Sequence, residues 1–149
     1  MVPEYKFFHG AVLCDLIDIS TAPITIDELK EDGRLTSYTL NGKVGLQIKH
    51  SSARLSPWSF SFTSSNWEEL VQLSRKFRKR VFVCFVCNDA GIVTLDIEST
   101  LNLLTSGQSD QAWIRITRRP GKWFEVTGSS GEDAIKRPSG IVQIIDSLT

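Results

Sequence analysis

The chain has 149 residues, a length that is typical of one domain and sufficient to bury a core without metal or disulfide support. Hydrophobic residues make up 41% and charged residues 23%, which is ordinary globular composition and argues against a disordered chain. Lysine and arginine number 17, as do aspartate and glutamate. No net charge therefore attracts nucleic acid or an anionic membrane, and any such binding needs a local patch.

The cysteines and the apolar runs indicate the cellular compartment in which we expect the protein. The odd, low number of cysteines (Cys14, Cys84 and Cys87) does not suggest a disulfide framework. No apolar run approaches the roughly 20 residues that cross a bilayer, and residues 1–10 lack the apolar centre of a signal peptide. We therefore expect a cytoplasmic protein with no membrane partner, and we expect its source to be a bacterium or a phage.

Hydrophobic periodicity and turn residues predict the first elements in chain order. They are a helix at residues 8–19, a short strand at 24–26, a polar turn at 28–33 and a hairpin at 35–50. Asn41-Gly42 lies between two strand-like runs, and both residues tolerate positive φ, so the pair favours a two-residue hairpin turn. On the second strand Gln47 and Lys49 share a face.

The later segments predict further strands and one long helix. Alternating aromatic residues predict a strand at 58–63, and a capping-box pattern at Ser65 to Glu68 begins a helix that runs to about Arg78. The remaining predictions are strands at 81–87 and 92–95, a short helix at 97–105, a hairpin at 113–126 and a loop at 128–140. Residues 141–145 are left unassigned between strand and helix. The pattern predicts a single α+β domain, in which a mixed sheet with a central hairpin carries two main helices.

The element order and the triplet Gln47-Ile48-Lys49 together resemble the PD-(D/E)xK, or restriction-endonuclease-like, nuclease superfamily over residues 8–95. The common core of that family runs α-β-β-β-α-β. Its hairpin carries an aspartate on one strand and an acid-x-lysine triplet on the next. The acids hold a divalent metal, and the lysine orients or polarises the attacking water. The resemblance implies that Gln47 takes the place of the triplet acid and Lys49 that of the catalytic lysine.

The resemblance also implies Mg²⁺ as cofactor and further acids to hold it. Asp32 is the nearest upstream candidate for the paired aspartate, and Asp15 or Asp18 on the first helix could supplement it. Two departures from the family pattern are evident. Gln47 is neutral and holds Mg²⁺ less well than a carboxylate would, and the strand at 35–40 contains no acid. The carboxylate count favours binding over cleavage, and the alternative for the triplet is the solvated face of an amphipathic hairpin.

Two further segments are candidates for contact with DNA or RNA. A polar loop with a basic and an aromatic residue can bind phosphate and stack on a base, and a basic run can contact phosphates. The loop residues are His50, Ser51, Ser52, Arg54 and Trp58, and the run comprises Arg75, Lys76, Arg78, Lys79 and Arg80. The alternatives are a plain strand connection and a solvated helix end that complements the helix dipole. A smaller basic cluster, Arg115, Arg118, Arg119 and Lys122, lies at the predicted hairpin of 113–126.

The sequence favours a soluble α+β binding module, for nucleic acid, with a nuclease-like core. The first alternative is a Mg²⁺-dependent nuclease that uses Lys49. The second is a protein–protein interaction module without nucleic-acid contact. Cys84 and Cys87 are expected to be buried and structural, because residues three apart on a strand point to opposite faces and cannot converge on a metal.

Overall fold

The computed structural model describes residues 1–104 and 111–149. Within them the helices are α1 (Glu4–Ile19), α2 (Ser64–Phe77), α3 (Ile97–Leu103) and α4 (Val142–Leu148). The strands in the same residues are β1 (Ile26–Glu31), β2 (Arg34–Leu40), β3 (Val44–Ser51), β4 (Trp58–Phe62), β5 (Val81–Cys87), β6 (Ile92–Asp96), β7 (Ala112–Thr117), β8 (Phe124–Gly128) and β9 (Ile135–Arg137). The predicted α+β class is confirmed. The last residue of the helix predicted at 97–105 lies outside the described residues.

The strands form two sheets, of which the first is mixed. Its order is β1-β2-β3-β5-β6, with β3 parallel to β5 and the other neighbours antiparallel. The second sheet is antiparallel, in the order β4-β7-β8-β9. The order α-β-β-β-α-β is present in α1, β1, β2, β3, α2 and β5. β4 stands between β3 and α2 in the chain and belongs to the second sheet.

The central hairpin is confirmed. Asn41 and Gly42 adopt φ of 53° and 62°, and the Asn41 side chain accepts a hydrogen bond of 2.7 Å from the backbone N–H of Thr25. The polar turn predicted at 28–33 is wrong, because most of it forms β1. Asp32-Gly33 makes a second turn of the same kind, with φ of 53° and 76°. β1 is polar because it is an edge strand with mostly exposed side chains.

Two apolar layers cover the first sheet. On one face α1 and α4 pack against β2, β3 and β5, around Val12, Leu16, Leu46, Phe82 and Ile144. On the other face α2, α3 and the second sheet enclose an aromatic core that includes Phe60, Phe62, Phe77, Phe85 and Phe124. The chain end left unassigned between strand and helix is the helix α4, and the loop predicted at 128–140 contains the short strand β9.

The start of α2 differs from the prediction. Thr63, not Ser65, is the N-cap, and its hydroxyl accepts from the Asn66 backbone N–H at 3.1 Å. The Asn66 side chain accepts in return from the Thr63 N–H at 3.1 Å, which completes the capping box. Both members of the box therefore lie two residues before the predicted pair. In the part of the chain that the structure describes, no helix is long and apolar enough to cross a membrane.

Candidate functional site

β2 and β3 separate at the end of the sheet and leave a cleft between them. Their antiparallel ladder joins residues 38–40 to residues 44–46. Beyond it β2 continues to Arg34 alongside β1, while β3 continues to Ser51 alongside β5. The cleft has a volume of about 500 Å³. A split between two strands of one sheet exposes side chains from both, so it brings residues of distant chain position together.

Both strands and two helices line this cleft. α1 contributes Tyr5 and His9, and α2 contributes Asn66 and Glu69. The strand residues of the lining are Arg34, Leu35, Thr36, Ser37, Tyr38, Gln47, Ile48, Lys49 and His50. Three residues predicted from the sequence, Gln47, Lys49 and His50, are therefore in one cleft.

Gln47 is buried, with 5% of its surface exposed. Its amide nitrogen donates to Glu69 Oε2 at 3.4 Å, and its Oε1 has no hydrogen-bond partner among the described residues. α2 covers this side of the hairpin, since a Cβ on Gly45 would lie 3.0 Å from Phe77 and 3.2 Å from Leu73. The alternative in which Gln47 and Lys49 form a solvated hairpin face is therefore wrong.

The Lys49 ammonium is held at one place on the cleft wall. Its Nζ donates to the Ser61 carbonyl at 2.5 Å and to Asn66 Oδ1 at 3.4 Å, and it lies 4.2 Å from the centroid of the Phe62 ring. Burial lowers the pKa of Lys49 to about 8, and the negative charge of Glu69 acts in the opposite direction. Lys49 thus loses its charge as pH rises through about 8.

Glu69 on α2 is the carboxylate that the sequence did not single out. Its Oε1 accepts from Arg34 Nη2 at 3.2 Å, so an exposed cation pairs with it at the cleft mouth. Burial raises the pKa of Glu69, and the Arg34 charge opposes that rise. A signal for Glu69 was present, because it borders the helical stripe formed by Leu70, Leu73 and Phe77.

The α1 side of the cleft carries two histidines that favour the neutral form. His9 Nδ1 lies 2.9 Å from the Tyr38 hydroxyl, and the His50 ring stacks on Phe8 with centroids 4.5 Å apart. Burial, and then the neighbouring His50, lower the pKa of His9 to about 4. Burial also lowers the pKa of His50, while the charge of Glu4 opposes that effect and the charge of Lys49 adds to it.

The acids predicted to hold a metal lie elsewhere. Asp32 lines a neighbouring cleft with Glu31, Glu68 and Glu69, and Glu69 also lines the β2–β3 cleft. Asp15, on α1, is not among the lining residues. Across residues 1–104 and 111–149, no group of three or more histidine, cysteine, aspartate or glutamate side chains is arranged to hold a metal ion. Glu69 is the carboxylate that accompanies Gln47 and Lys49.

The polar loop after β3 begins beside the cleft, but its tryptophan is buried and cannot contact a ligand. Ser52 and Arg54 are exposed, and Ser51 ends β3. Trp58 is 3% exposed, and its indole N–H donates to the Ala53 carbonyl at 2.8 Å. The prediction that Trp58 stacks on a base is corrected, because its ring packs in the aromatic core.

The predicted basic run lies at the far end of α2. Its five side chains are exposed, and the backbone N–H of Gly45 at the start of β3 bonds to the Arg80 carbonyl at 2.9 Å. Lys49 stands at the other end of β3, beside the first turn of α2. The 14 residues of α2 span about 21 Å. By the register of β3 with β5, Arg80 at the end of the run lies about 16 Å along the strands from the level of Lys49.

Cys84 and Cys87 are buried in β5, and each belongs to a different apolar layer. Burial raises the pKa of both thiols to about 12. This is the structural role expected from their spacing.

Comparison with known proteins gives a distant similarity to a solved structure. No protein-family model matches the chain, and no curated protein matches it. Among solved structures, the chain is similar to Archaeoglobus fulgidus Hjc, a Holliday junction resolvase from an archaeal hyperthermophile, with a TM-score of 0.45 and 16% sequence identity. The match covers 70% of this chain and 78% of the resolvase. A similarity of this extent assigns neither a family nor an activity to this chain.

Proposed function

We propose that this protein binds nucleic acid and that the β2–β3 cleft receives a phosphodiester group. The observation that carries the proposal is the Lys49 ammonium, which Ser61 and Asn66 hold on the wall of this cleft. A fixed cation in a partly desolvated cleft attracts a phosphate oxygen more strongly than a mobile surface lysine does.

The charges of the cleft support this role. Arg34 pairs with Glu69, which offsets the only carboxylate among the described lining residues and limits its repulsion of phosphate. The exposed Arg54 lies in the loop that follows β3 and adds a cation to that loop. Lys49 then contacts the phosphate inside the cleft, and Arg34 can contact it at the mouth.

Fluorescence anisotropy with labelled DNA and RNA, in single- and double-stranded forms and over a salt series, tests the proposal. We expect binding that weakens as salt rises, and a roughly tenfold or greater loss of affinity in Lys49→Ala, as befits a lost charged hydrogen bond. Lys43→Ala, an exposed lysine at the other end of β3, is the matched control. Absence of binding to every probe at low salt would falsify the proposal.

The second candidate function is Mg²⁺-dependent phosphodiester cleavage. Gln47 Oε1 has no partner among the described residues, and the same side chain contacts the Glu69 carboxylate, which favours this function. One carboxylate and one amide oxygen fit Mg²⁺, which keeps several waters and often takes only one or two carboxylates from a protein. Gln47 and Glu69 would hold the ion, and the ion would polarise a phosphoryl oxygen. Lys49, with a pKa of about 8, would hold or accept a proton of the attacking water.

Metal binding and cleavage are separable in the test of this candidate. Glu69→Gln is expected to abolish both Mg²⁺-dependent thermal stabilisation and nicking of a plasmid substrate. Lys49→Ala is expected to abolish nicking but keep the stabilisation. Glu68→Gln changes an exposed neighbouring carboxylate and should alter neither. Nicking that survives in Lys49→Ala would point to a contaminating nuclease.

A further inference from the structure

A second concave surface lies across the end of the second sheet, about 770 Å³ in volume. We call it the hairpin groove. It is formed by the turn between β7 and β8, by Lys136 of β9, and by Ser56 of the loop after β3. Its charged and aromatic lining comprises Arg118, Arg119, Lys122, Trp123, Glu125 and Lys136. The β2–β3 cleft and the hairpin groove therefore adjoin the two ends of one loop, at His50 and at Ser56.

The groove concentrates positive charge on a protein with no net charge. It has four cationic side chains against Glu125. Among the described residues the ion pairs are Lys30–Glu28 and Arg34–Glu69, so no groove cation is paired with a carboxylate there. Unpaired cations that line one concave surface create a local field that attracts a polyanion.

The backbone fixes part of that charge in position. Arg118 donates to the Lys122 carbonyl at 3.0 Å and to the Ala90 carbonyl at 3.1 Å, and its guanidinium lies 4.6 Å from the Phe124 ring centroid. These contacts tie the hairpin turn to the turn after β5. A cation held in this way loses little side-chain freedom when it binds an anion.

Trp123 is the second feature of the groove. It is 62% exposed, while its neighbour Phe124 is buried in the core. Its ring therefore presents an aromatic surface beside the cations Arg119 and Lys122. Cations that track a phosphate backbone, together with an aromatic ring on which a base stacks, are the combination that binds single-stranded nucleic acid.

We infer that the hairpin groove binds single-stranded nucleic acid, with phosphates against Arg119, Lys122 and Lys136 and an unpaired base stacked on Trp123. The inference rests on the proposed function and deepens it, since it specifies an unpaired strand. An acidic protein segment would satisfy the cations equally but would not use the aromatic face of Trp123. A paired duplex keeps its bases stacked inside and would not use it either.

The test measures anisotropy of a labelled oligothymidine of about 12 nucleotides, a length within the range of single-strand sites, and of its duplex with oligoadenosine. We expect tighter binding of the single strand. Trp123→Ala should weaken it roughly tenfold, while Trp123→Phe, which keeps a stacking ring, should retain most of the affinity. Arg119→Glu with Lys122→Glu should reduce the slope of log affinity against log salt by roughly one to two. Lys30→Glu on β1 supplies the same type of charge change away from the groove.

The outcomes separate the groove from the cleft. Loss of binding in Lys49→Ala but not in Trp123→Ala would overturn the groove and leave the proposed function standing. The reverse result would support the groove and remove the cleft from the binding site. Competition by polyglutamate as strong as that by the oligothymidine would overturn the inference in favour of an acidic protein partner. Circular dichroism of each variant verifies that the fold is kept.

Discussion

The carboxylate of Glu69 on α2 lies 3.4 Å from the amide nitrogen of Gln47 on β3, although 22 residues separate them in the chain. The amide oxygen of Gln47 is left without a partner among the described residues. A buried polar atom without a partner destabilises the fold unless a ligand satisfies it. The pair therefore marks the position in the cleft where a cation, or a ligand that donates a hydrogen bond, gains most.

Gln47→Glu should convert this pair into a divalent-cation site. Two adjacent carboxylates repel, so without metal the variant is expected to lose about 1–3 kcal/mol of unfolding free energy and to raise the pKa of Glu69 further. Added Mg²⁺ should restore the loss, which is measured as a thermal shift over a metal titration.

Gln47→Leu is the control, because it removes the amide without adding charge. Its stability should not respond to Mg²⁺. An equal response of both variants to the metal would contradict a site at this pair.

The affinity for nucleic acid should fall as pH rises. The pKa of Lys49 is lowered to about 8, so its ammonium is charged below that value and neutral above it. Between about pH 7 and about pH 9, affinity is expected to drop by roughly tenfold, since a neutral amine gives up its charged contact with phosphate.

Lys49→Arg isolates the residue responsible for this dependence. Arginine stays charged throughout the range, so the pH profile of the variant should be nearly flat. A profile in Lys49→Arg as steep as that of the wild type would assign the pH dependence to another group.

Local features of the sequence predicted the hairpin, whereas the site depended on contacts between distant segments. Asn41-Gly42 specifies its turn through its own backbone preferences, and these do not depend on the rest of the chain. The burial of Gln47 could not be predicted in this way, because α2 covers it through Leu73 and Phe77. Because β1 is polar, its sequence predicts a turn and not an edge strand. Asp32-Gly33 has the same turn preference as Asn41-Gly42 and could have indicated the hairpin of β1 and β2.

The pairing of strands in the second sheet could not be predicted from local sequence either. The strand β4 was predicted from the alternation of Trp58, Phe60 and Phe62, and all three are buried. Its partner β7 begins about fifty residues later, at Ala112. Alternation identifies a strand but does not identify its neighbour, because pairing depends on the packing of both faces. The exposure assumed for Trp58 failed for this reason.

Gly45 sets the approach of α2 to β3 and is expected to tolerate no side chain. A Cβ there would lie 3.0 Å from Phe77 Cδ2 and 3.2 Å from Leu73 Cδ2, so Gly45→Ala must displace the helix or repack both side chains. We expect a loss of about 1–3 kcal/mol in chemical denaturation.

Gly10→Ala is the matched control for that substitution. A Cβ at Gly10 meets nothing within 4 Å, and the residue lies inside α1. Alanine there should stabilise the protein by about 0.5–1 kcal/mol, because glycine is the poorer helix former. Equal effects of the two substitutions would contradict the described packing of α2.

The capping box of α2 connects helix stability to the cleft. Thr63→Ala removes the hydroxyl that accepts from the Asn66 N–H, at a cost of about 1 kcal/mol. It should also weaken nucleic-acid binding, since Asn66 Oδ1 accepts from Lys49 Nζ. Ser65→Ala alters the residue that the sequence pattern indicated as the cap and should change neither denaturation midpoint nor affinity.

The basic run at the far end of α2 provides a test of where nucleic acid lies. Lys79→Glu with Arg80→Glu reverses two exposed charges near the start of β3, with Arg80 about 16 Å along the strands from the level of Lys49. If the strand occupies the cleft and the loop after β3, this double variant should lower affinity by only about twofold at physiological salt, because charges beyond one Debye length are largely screened. A loss as large as that in Lys49→Ala would instead place the nucleic acid along α2. The salt slope of the double variant would then decrease by the amount that corresponds to about two phosphate contacts.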